Sequence, residues 1–135
     1  MDLARTAPTA GIAACLLVLV VAFAPAVLVE ASGVGAYYAS GPVGLPAVGF
    51  LSALGIVVFL SGRQERTDPA TVAGFTVVLG VAVLGLSVLW AVSIDPTVLF
   101  SFPAEYAWLA WHRWAVPVVS LGVPASAGLY ARAVL

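Results

Sequence analysis

Five ionisable residues are the ones best suited to chemistry in this sequence: Glu30, Asp95, Glu105, His112 and Arg113. The last three fall on one side of a helix that begins at Pro103, because they are spaced i, i+7 and i+8. If the fold brings all five together, they form a polar cluster that can relay protons or hold an anion. The alternative is that they anchor the chain at a membrane surface, where charged and tryptophan side chains reach the lipid headgroups.

The positions of these residues along the chain favour the anchor. An ionisable group at the centre of a membrane span is the usual mark of a transport path. None of the five lies near the centre of an uncharged stretch. We therefore expect this polar cluster to lie at the outer boundary of a membrane, and we keep it as the candidate site.

Other kinds of chemistry lack the residues they need. The single cysteine, Cys15, and the single histidine are too few ligands for a structural zinc site. With Met1 as the only methionine, a haem would have to bridge two chains. The serines at 52, 87, 93, 120 and 126 have no histidine at the same depth, and no glycine-rich phosphate loop is present. We expect no catalytic residues, no metal, no cofactor and no enzyme activity.

Four long uncharged stretches position the polar cluster. The chain has 135 residues, of which 63% are hydrophobic and 8% charged, whereas a soluble domain has roughly 25% charged residues. About 20 apolar residues form a helix that crosses the hydrocarbon core of a bilayer. We predict an all-α fold, a single-domain bundle of four transmembrane helices with spans at 8–29, 43–60, 69–94 and 114–135.

The fourth span needs an interruption before it. A straight helix from Pro103 to Leu135 would be about 50 Å long, which exceeds the thickness of a bilayer. We predict a bend near Trp114–Pro117, preceded by a short interfacial helix or an irregular segment. Prolines inside the first and fourth spans also release backbone carbonyls four residues earlier, and these need partners inside a membrane. The prolines are Pro25, Pro117 and Pro124, and the carbonyls are those of Val21, Arg113 and Ser120.

Two similar phrases, Arg5–Pro8 and Arg66–Pro69, precede the first and third spans. They could mark a duplicated helical hairpin, but nothing downstream of them repeats. We favour two independent helix starts, in which Pro8 and Pro69 occupy the first turn, where the missing N–H of proline costs nothing.

The arginines predict the orientation of the chain. Arg5, Arg63, Arg66 and Arg132 fall on one side of the four spans, and only Arg113 falls on the other. Because arginine concentrates on the cytoplasmic side, we expect both termini in the cytoplasm and the chain in the cell membrane. The net charge of −1 says nothing about partners, but the lack of a basic run excludes nucleic acid.

Small residues at helical spacing predict where the helices approach one another, because close packing drives helix association in lipid. The candidates are Gly11 with Cys15, Gly49 with Ala53, Gly122 with Ser126, and a stripe on the third span that contains Gly74 and Gly85. We interpret them as contacts within the bundle rather than as a seam between two copies.

Short phrases spread over nearly the whole chain resemble a family of small haloarchaeal membrane proteins with four spans. These phrases are Tyr37–Pro42, Phe59–Arg63, Arg66–Gly74, His112–Trp114 and Pro124–Gly128. The absence of lysine agrees with such a source. The resemblance implies a membrane location and a four-span layout, but it implies no activity.

Two functions are compatible with these features. The first is an accessory or scaffold protein that packs with other membrane proteins, which the small-residue positions and the short loops favour. The second is an oligomeric transporter or channel for ions or small solutes, with the polar cluster as its outer vestibule. The expected partners are the lipid bilayer and either other membrane proteins or a second copy of the chain.

Overall fold

The computed structural model describes residues 3–28, 34–40, 44–94, 96–100 and 102–135. Over these ranges the chain forms helices and turns, and it forms no strand. The prediction of an all-α fold is therefore confirmed. Glu30 and Asp95, two members of the predicted polar cluster, lie outside the described residues.

The described helices differ widely in length. They are α1 (Leu3–Leu28), α2 (Val34–Tyr38), α3 (Leu45–Arg63), α4 (Pro69–Ser93), α5 (Pro96–Phe100), a 3₁₀ turn at Ala104–Tyr106, α6 (Leu109–Ser120) and α7 (Gly122–Val134). Among the described residues, four helical stretches are long and apolar enough to cross a membrane: α1, α3, α4 and the stretch from Ala104 to Val134. This confirms the predicted number of spans.

The four stretches close into a ring. α1 packs against α3, α3 against α4, and α4 against α6 and α7, which in turn pack against α1. The short helices α2 and α5 contact each other. The core between the long helices contains the buried side chains of Cys15, Val48, Phe59, Val83 and Val123.

The start of the first helix differs from the prediction. α1 is already helical at Leu3, so Pro8 lies inside the helix and not in its first turn. Ala7 and Pro8 are both buried, which indicates that packing extends the helix past the proline. Pro69, in contrast, does start α4, with Asp68 at the N-cap position. Asp68 makes no cap bond and instead accepts a hydrogen bond from the Thr71 hydroxyl at 3.1 Å.

The predicted bend near Trp114–Pro117 is also misplaced. α6 continues through Pro117, and the helix is interrupted at Leu121. The Leu121 N–H lies between the carbonyls of Pro117 and Val118, at 3.2 and 3.3 Å. The physical reason is Pro124, which has no N–H to offer the Ser120 carbonyl and so loosens the turn before it. Where a short helix or an irregular segment is predicted before the fourth span, the structure has α5 and the 3₁₀ turn.

Small residues allow close helix contacts at several of the expected positions. Gly11, Cys15, Gly49 and Ser126 are buried. A side chain at Gly11 would overlap the ring of Phe59, one at Gly49 would overlap the ring of Phe23, and one at Gly122 would lie 3.2 Å from Ala14.

The prediction is wrong for Ala53, Gly74 and Gly85, which face away from the bundle. The inward face of α4 includes Thr76, Gly80, Val83, Ser87 and Trp90, and Gly80 is the glycine of this helix that lies against a neighbouring helix. A Cβ at Gly80 would lie 2.8 Å from the backbone of Pro124, whereas one at Gly74 or Gly85 would meet nothing within 4 Å.

Candidate functional site

The polar side chains of interest gather at one end of the bundle. We call it the aromatic end, and it is defined by Tyr37, Trp90, Trp108, Trp111 and Trp114. α2, the last turn of α4 and the start of α6 meet there. Tyr37, Trp90 and His112 are almost completely buried, so their polar atoms depend on partners within the protein.

His112 connects α6 to α1. Its Nε2 atom is hydrogen-bonded to the backbone carbonyl of Val21. Pro25 has no N–H, so the helix itself offers this carbonyl no donor. Because a carbonyl can only accept, Nε2 carries the proton. In the neutral ring, Nδ1 is then an acceptor.

Tyr37 supplies the donor for that acceptor. Its hydroxyl lies 2.7 Å from Nδ1 of His112 and 3.4 Å from the carbonyl of Leu109. Burial raises the pKa of the Tyr37 phenol, with a smaller contribution from Tyr38, so the hydroxyl stays protonated. Tyr37 is therefore a stable donor to the imidazole.

Trp90 fixes the position of Tyr37. The indole Nε1–H donates to the backbone carbonyl of Tyr37 at 2.9 Å, near the end of α2, where carbonyls lack helical partners. The two rings also meet edge to face, with their centroids 5.2 Å apart. Tyr38 adds a second connection to α1, because its hydroxyl accepts the N–H of Ala26 at 2.8 Å.

Arg113 binds the end of α4. Its Nε and Nη2 atoms both donate to the carbonyl of Ala91, and the Nε bond is 3.0 Å long. Ala91 lies in the last turn of α4, where carbonyls have no helical donor and a cation is favoured by the helix dipole. The guanidinium carbon also lies 5.4 Å from the ring centre of Trp114.

The structure divides the predicted polar cluster. His112 and Arg113 are neighbours in sequence but serve different carbonyls, on α1 and on α4. Glu105 is exposed in the 3₁₀ turn. In the described part of the chain, these three side chains do not converge on one point.

Tyr37 and Trp90 are the members of the network that the sequence analysis missed. Neither is ionisable in the ordinary range, so neither belongs to the predicted polar cluster. One signal was available: Pro25 releases the Val21 carbonyl, and a carbonyl in that position needs a donor at the same depth.

Buried hydroxyls in the middle of the bundle bond to their own helices. Thr76 donates to Ala73, Ser87 to Leu84 and Ser120 to Val116, at 3.0, 2.8 and 2.7 Å. The hydroxyl of Ser52 is buried and has no hydrogen-bond partner among the residues that the structure describes. The described residues contain no group of three or more histidine, cysteine or acidic side chains that could hold a metal.

Comparison with known proteins gives one match. Residues 1–135 match the model of a family described as "Family of unknown function (DUF7548)". Neither the curated proteins nor the solved structures contain a match to this chain. Because the match covers the whole chain, this protein belongs to the DUF7548 family.

Proposed function

We propose that this chain is a four-span protein of the cell membrane, with both termini in the cytoplasm. In this proposal it has no enzyme activity and acts as an accessory or scaffold component that packs with other membrane proteins. A haloarchaeal source is part of the proposal, and the absence of lysine supports it.

One observation carries the structural role. The polar side chains at the aromatic end donate hydrogen bonds to backbone carbonyls. The acceptors are the carbonyls of Val21, Tyr37 and Ala91. A buried carbonyl without a donor lowers the free energy of unfolding by about 1–3 kcal/mol. Each of these bonds therefore stabilises the position of a helix end or of the turn before a proline. His112 and Arg113, two of the five residues marked as a possible vestibule, thus help to join α1, α2, α4 and α6.

The hydroxyls deeper in the bundle point to the same conclusion. A transporter needs polar groups that face a shared path, and an ionisable group usually marks it. Here the hydroxyls of Thr76, Ser87 and Ser120 are occupied by carbonyls of their own helices. The transporter alternative therefore has less support than the scaffold.

The outward face of α4 is the surface we propose for a partner helix. It contains Gly74, Val78, Val81 and Gly85, and the two valines are 71% and 58% exposed. Both glycines leave open space where a side chain would stand, and small residues let a second helix approach closely in lipid.

The arrangement of the arginines supports the orientation. Arg5 at the start of α1 and Arg63 at the end of α3 line the same cavity, together with Tyr130 of α7. They therefore share one end of the bundle, opposite the aromatic end. Because arginine is enriched on the cytoplasmic side of membrane proteins, we assign that end to the cytoplasm.

Site-specific photo-crosslinking in native membranes tests the proposed surface. A photoreactive amino acid at Val81 should crosslink to a second membrane protein, which mass spectrometry then identifies. The matched control is the same amino acid at Val20, which is 66% exposed on α1 and should crosslink to lipid alone. Crosslinks only to lipid at both positions, together with a lone monomer in every mild detergent extract, would overturn the scaffold proposal.

A further inference from the structure

A cavity of about 450 Å³ lies at the aromatic end, between α5, the 3₁₀ turn and α6. Its volume falls within the range of about 300–1,000 Å³ that is usual for sites that bind small molecules. The residues that shape it include Pro96, Phe100, Phe102, Tyr106, Ala110 and Arg113. Arg113 is the one charged residue among the described residues that line it.

The walls of this cavity suit an acyl chain. Apart from Arg113, the described lining residues are aromatic, aliphatic or proline. Phe102 is held in place because its ring meets that of Tyr37 edge to face, with centroids 6.1 Å apart. The apolar wall is therefore continuous with the network that joins α2 and α6.

The guanidinium of Arg113 is already oriented before any ligand arrives. Two of its five N–H groups point at the Ala91 carbonyl, and the ring of Trp114 lies beside it. Within the described part of the chain, the other three N–H groups are left for acceptors other than Ala91. A planar guanidinium fixed in this way loses little freedom on binding, which favours an anionic, oxygen-rich group such as phosphate.

The exposed tryptophans give the depth of the cavity in a bilayer. Trp108, Trp111 and Trp114 belong to the same stretch of chain as the lining residues, and Trp111 is 80% exposed. Tryptophans of this kind sit at the level of the lipid headgroups. An apolar cavity with one cation at that level matches a molecule with an apolar tail and an anionic head.

We propose that this cavity binds one anionic phospholipid, with an acyl chain against Phe100, Phe102 and Tyr106 and the phosphate at Arg113. The inference rests on the membrane location proposed above. The lipid comes from the leaflet at the aromatic end, and it would fill the space between α5 and α6.

Native mass spectrometry of the full chain in detergent tests the proposal. The protein is stripped of lipid and titrated with phosphatidylglycerol, and then with phosphatidylcholine that has the same acyl chains. We expect one phosphatidylglycerol per chain and an affinity for it about tenfold higher than for phosphatidylcholine, a difference of about 1.4 kcal/mol. Equal affinity for the two lipids would overturn the role of Arg113.

Two variants locate the site. Ala110→Trp fills the cavity and leaves the Arg113 bond to Ala91 intact, so it should weaken phosphatidylglycerol binding about tenfold. Ala125→Trp places the same side chain at an exposed position of α7 outside the cavity and should leave binding unchanged. If Ala110→Trp does not fold, Ala107→Phe narrows the same cavity and should give the same loss.

The outcomes separate this inference from the proposed function. Wild-type binding that Ala110→Trp or Ala107→Phe does not reduce would overturn the site. A wild-type protein that inserts into bilayers and retains no phosphatidylglycerol would also overturn it, while the four-span scaffold proposal would stand. Failure to insert into bilayers at all would instead remove the proposed function.

Discussion

His112 donates a hydrogen bond to the carbonyl of Val21, although 91 residues separate the two in sequence. That carbonyl is the one that Pro25 leaves without a donor in its own helix. The single histidine of the chain thus compensates for a proline in another helix. Its second ring nitrogen is used as well, because Tyr37 donates to it.

Removal of the imidazole should show how far the fold depends on the bond between His112 and the Val21 carbonyl. We expect His112→Ala to lower the free energy of unfolding in detergent by about 2–3 kcal/mol, because both the Val21 carbonyl and the Tyr37 hydroxyl lose a partner in the core. In a Pro25→Ala background, the N–H of the new alanine can donate to the Val21 carbonyl. The loss of free energy of unfolding caused by His112→Ala should then be about 1 kcal/mol smaller.

The comparison of these two backgrounds is the decisive measurement. Equal losses with and without Pro25 would contradict the proposed pairing of the histidine with the proline. Leu129→Ala provides the control, because Leu129 is partly exposed on α7 and far along the chain from both residues. It should change stability by the same amount in each background.

Arg113 should stabilise the end of α4 through its two hydrogen bonds to the Ala91 carbonyl as well as through its charge. We expect Arg113→Ala to lower the free energy of unfolding by about 1.5–3 kcal/mol, since the Ala91 carbonyl loses two charge-assisted donors. Arg113→Lys keeps the charge but cannot place two donors on the Ala91 carbonyl. Its free energy of unfolding should therefore lie between those of the wild type and Arg113→Ala.

Hydrogen exchange can confirm that the effect is local to α4. Amide protection in the last turn, from Trp90 to Ser93, should fall in Arg113→Ala more than at the start of the helix. Arg132→Ala is the control, because Arg132 is exposed in the last turn of α7 and should change stability by no more than about 0.5 kcal/mol. Unchanged protection at the end of α4 would contradict the capping role.

The number and approximate limits of the long helices follow from the sequence because they depend on local properties. A stretch of about 20 uncharged residues is sufficient to indicate a spanning helix, and no knowledge of its neighbours is needed. The position of the break at Leu121 was harder to predict. Two prolines, Pro117 and Pro124, each remove one hydrogen bond, and residue spacing does not show which of them interrupts the helix.

Contacts between helices were much harder to predict from the sequence. Small residues predict where two helices approach closely, but glycine also occurs on helix faces that contact no other helix of the bundle. Gly74 and Gly85 are examples. The orientation of α4 is instead set by its larger buried residues, such as Trp90. The partners of Tyr37, His112 and Arg113 are also determined by how the helices are arranged in space, which residue spacing does not specify.

Two glycines of α4 should respond oppositely to the same substitution. Gly80→Ala places a Cβ 2.8 Å from the backbone of Pro124, and we expect it to lower the free energy of unfolding by about 1–3 kcal/mol through overpacking. Gly74→Ala meets no neighbour, and it should stabilise the helix by about 0.5–1 kcal/mol. Thermal unfolding in detergent measures both, and equal shifts in the same direction would contradict the observed rotation of α4.

The orientation of the chain gives the last prediction. Gly35 in α2 lies at the aromatic end, and Gln64 follows α3 at the opposite end; both are exposed. If four arginines hold that opposite end in the cytoplasm, Gly35→Cys should react with a membrane-impermeant maleimide added to intact cells, and Gln64→Cys should react only after lysis. The native Cys15 is fully buried and provides an unreactive background in the same chain. Labelling of Gln64→Cys from outside, with Gly35→Cys protected, would reverse the orientation and move the proposed lipid site to the inner leaflet.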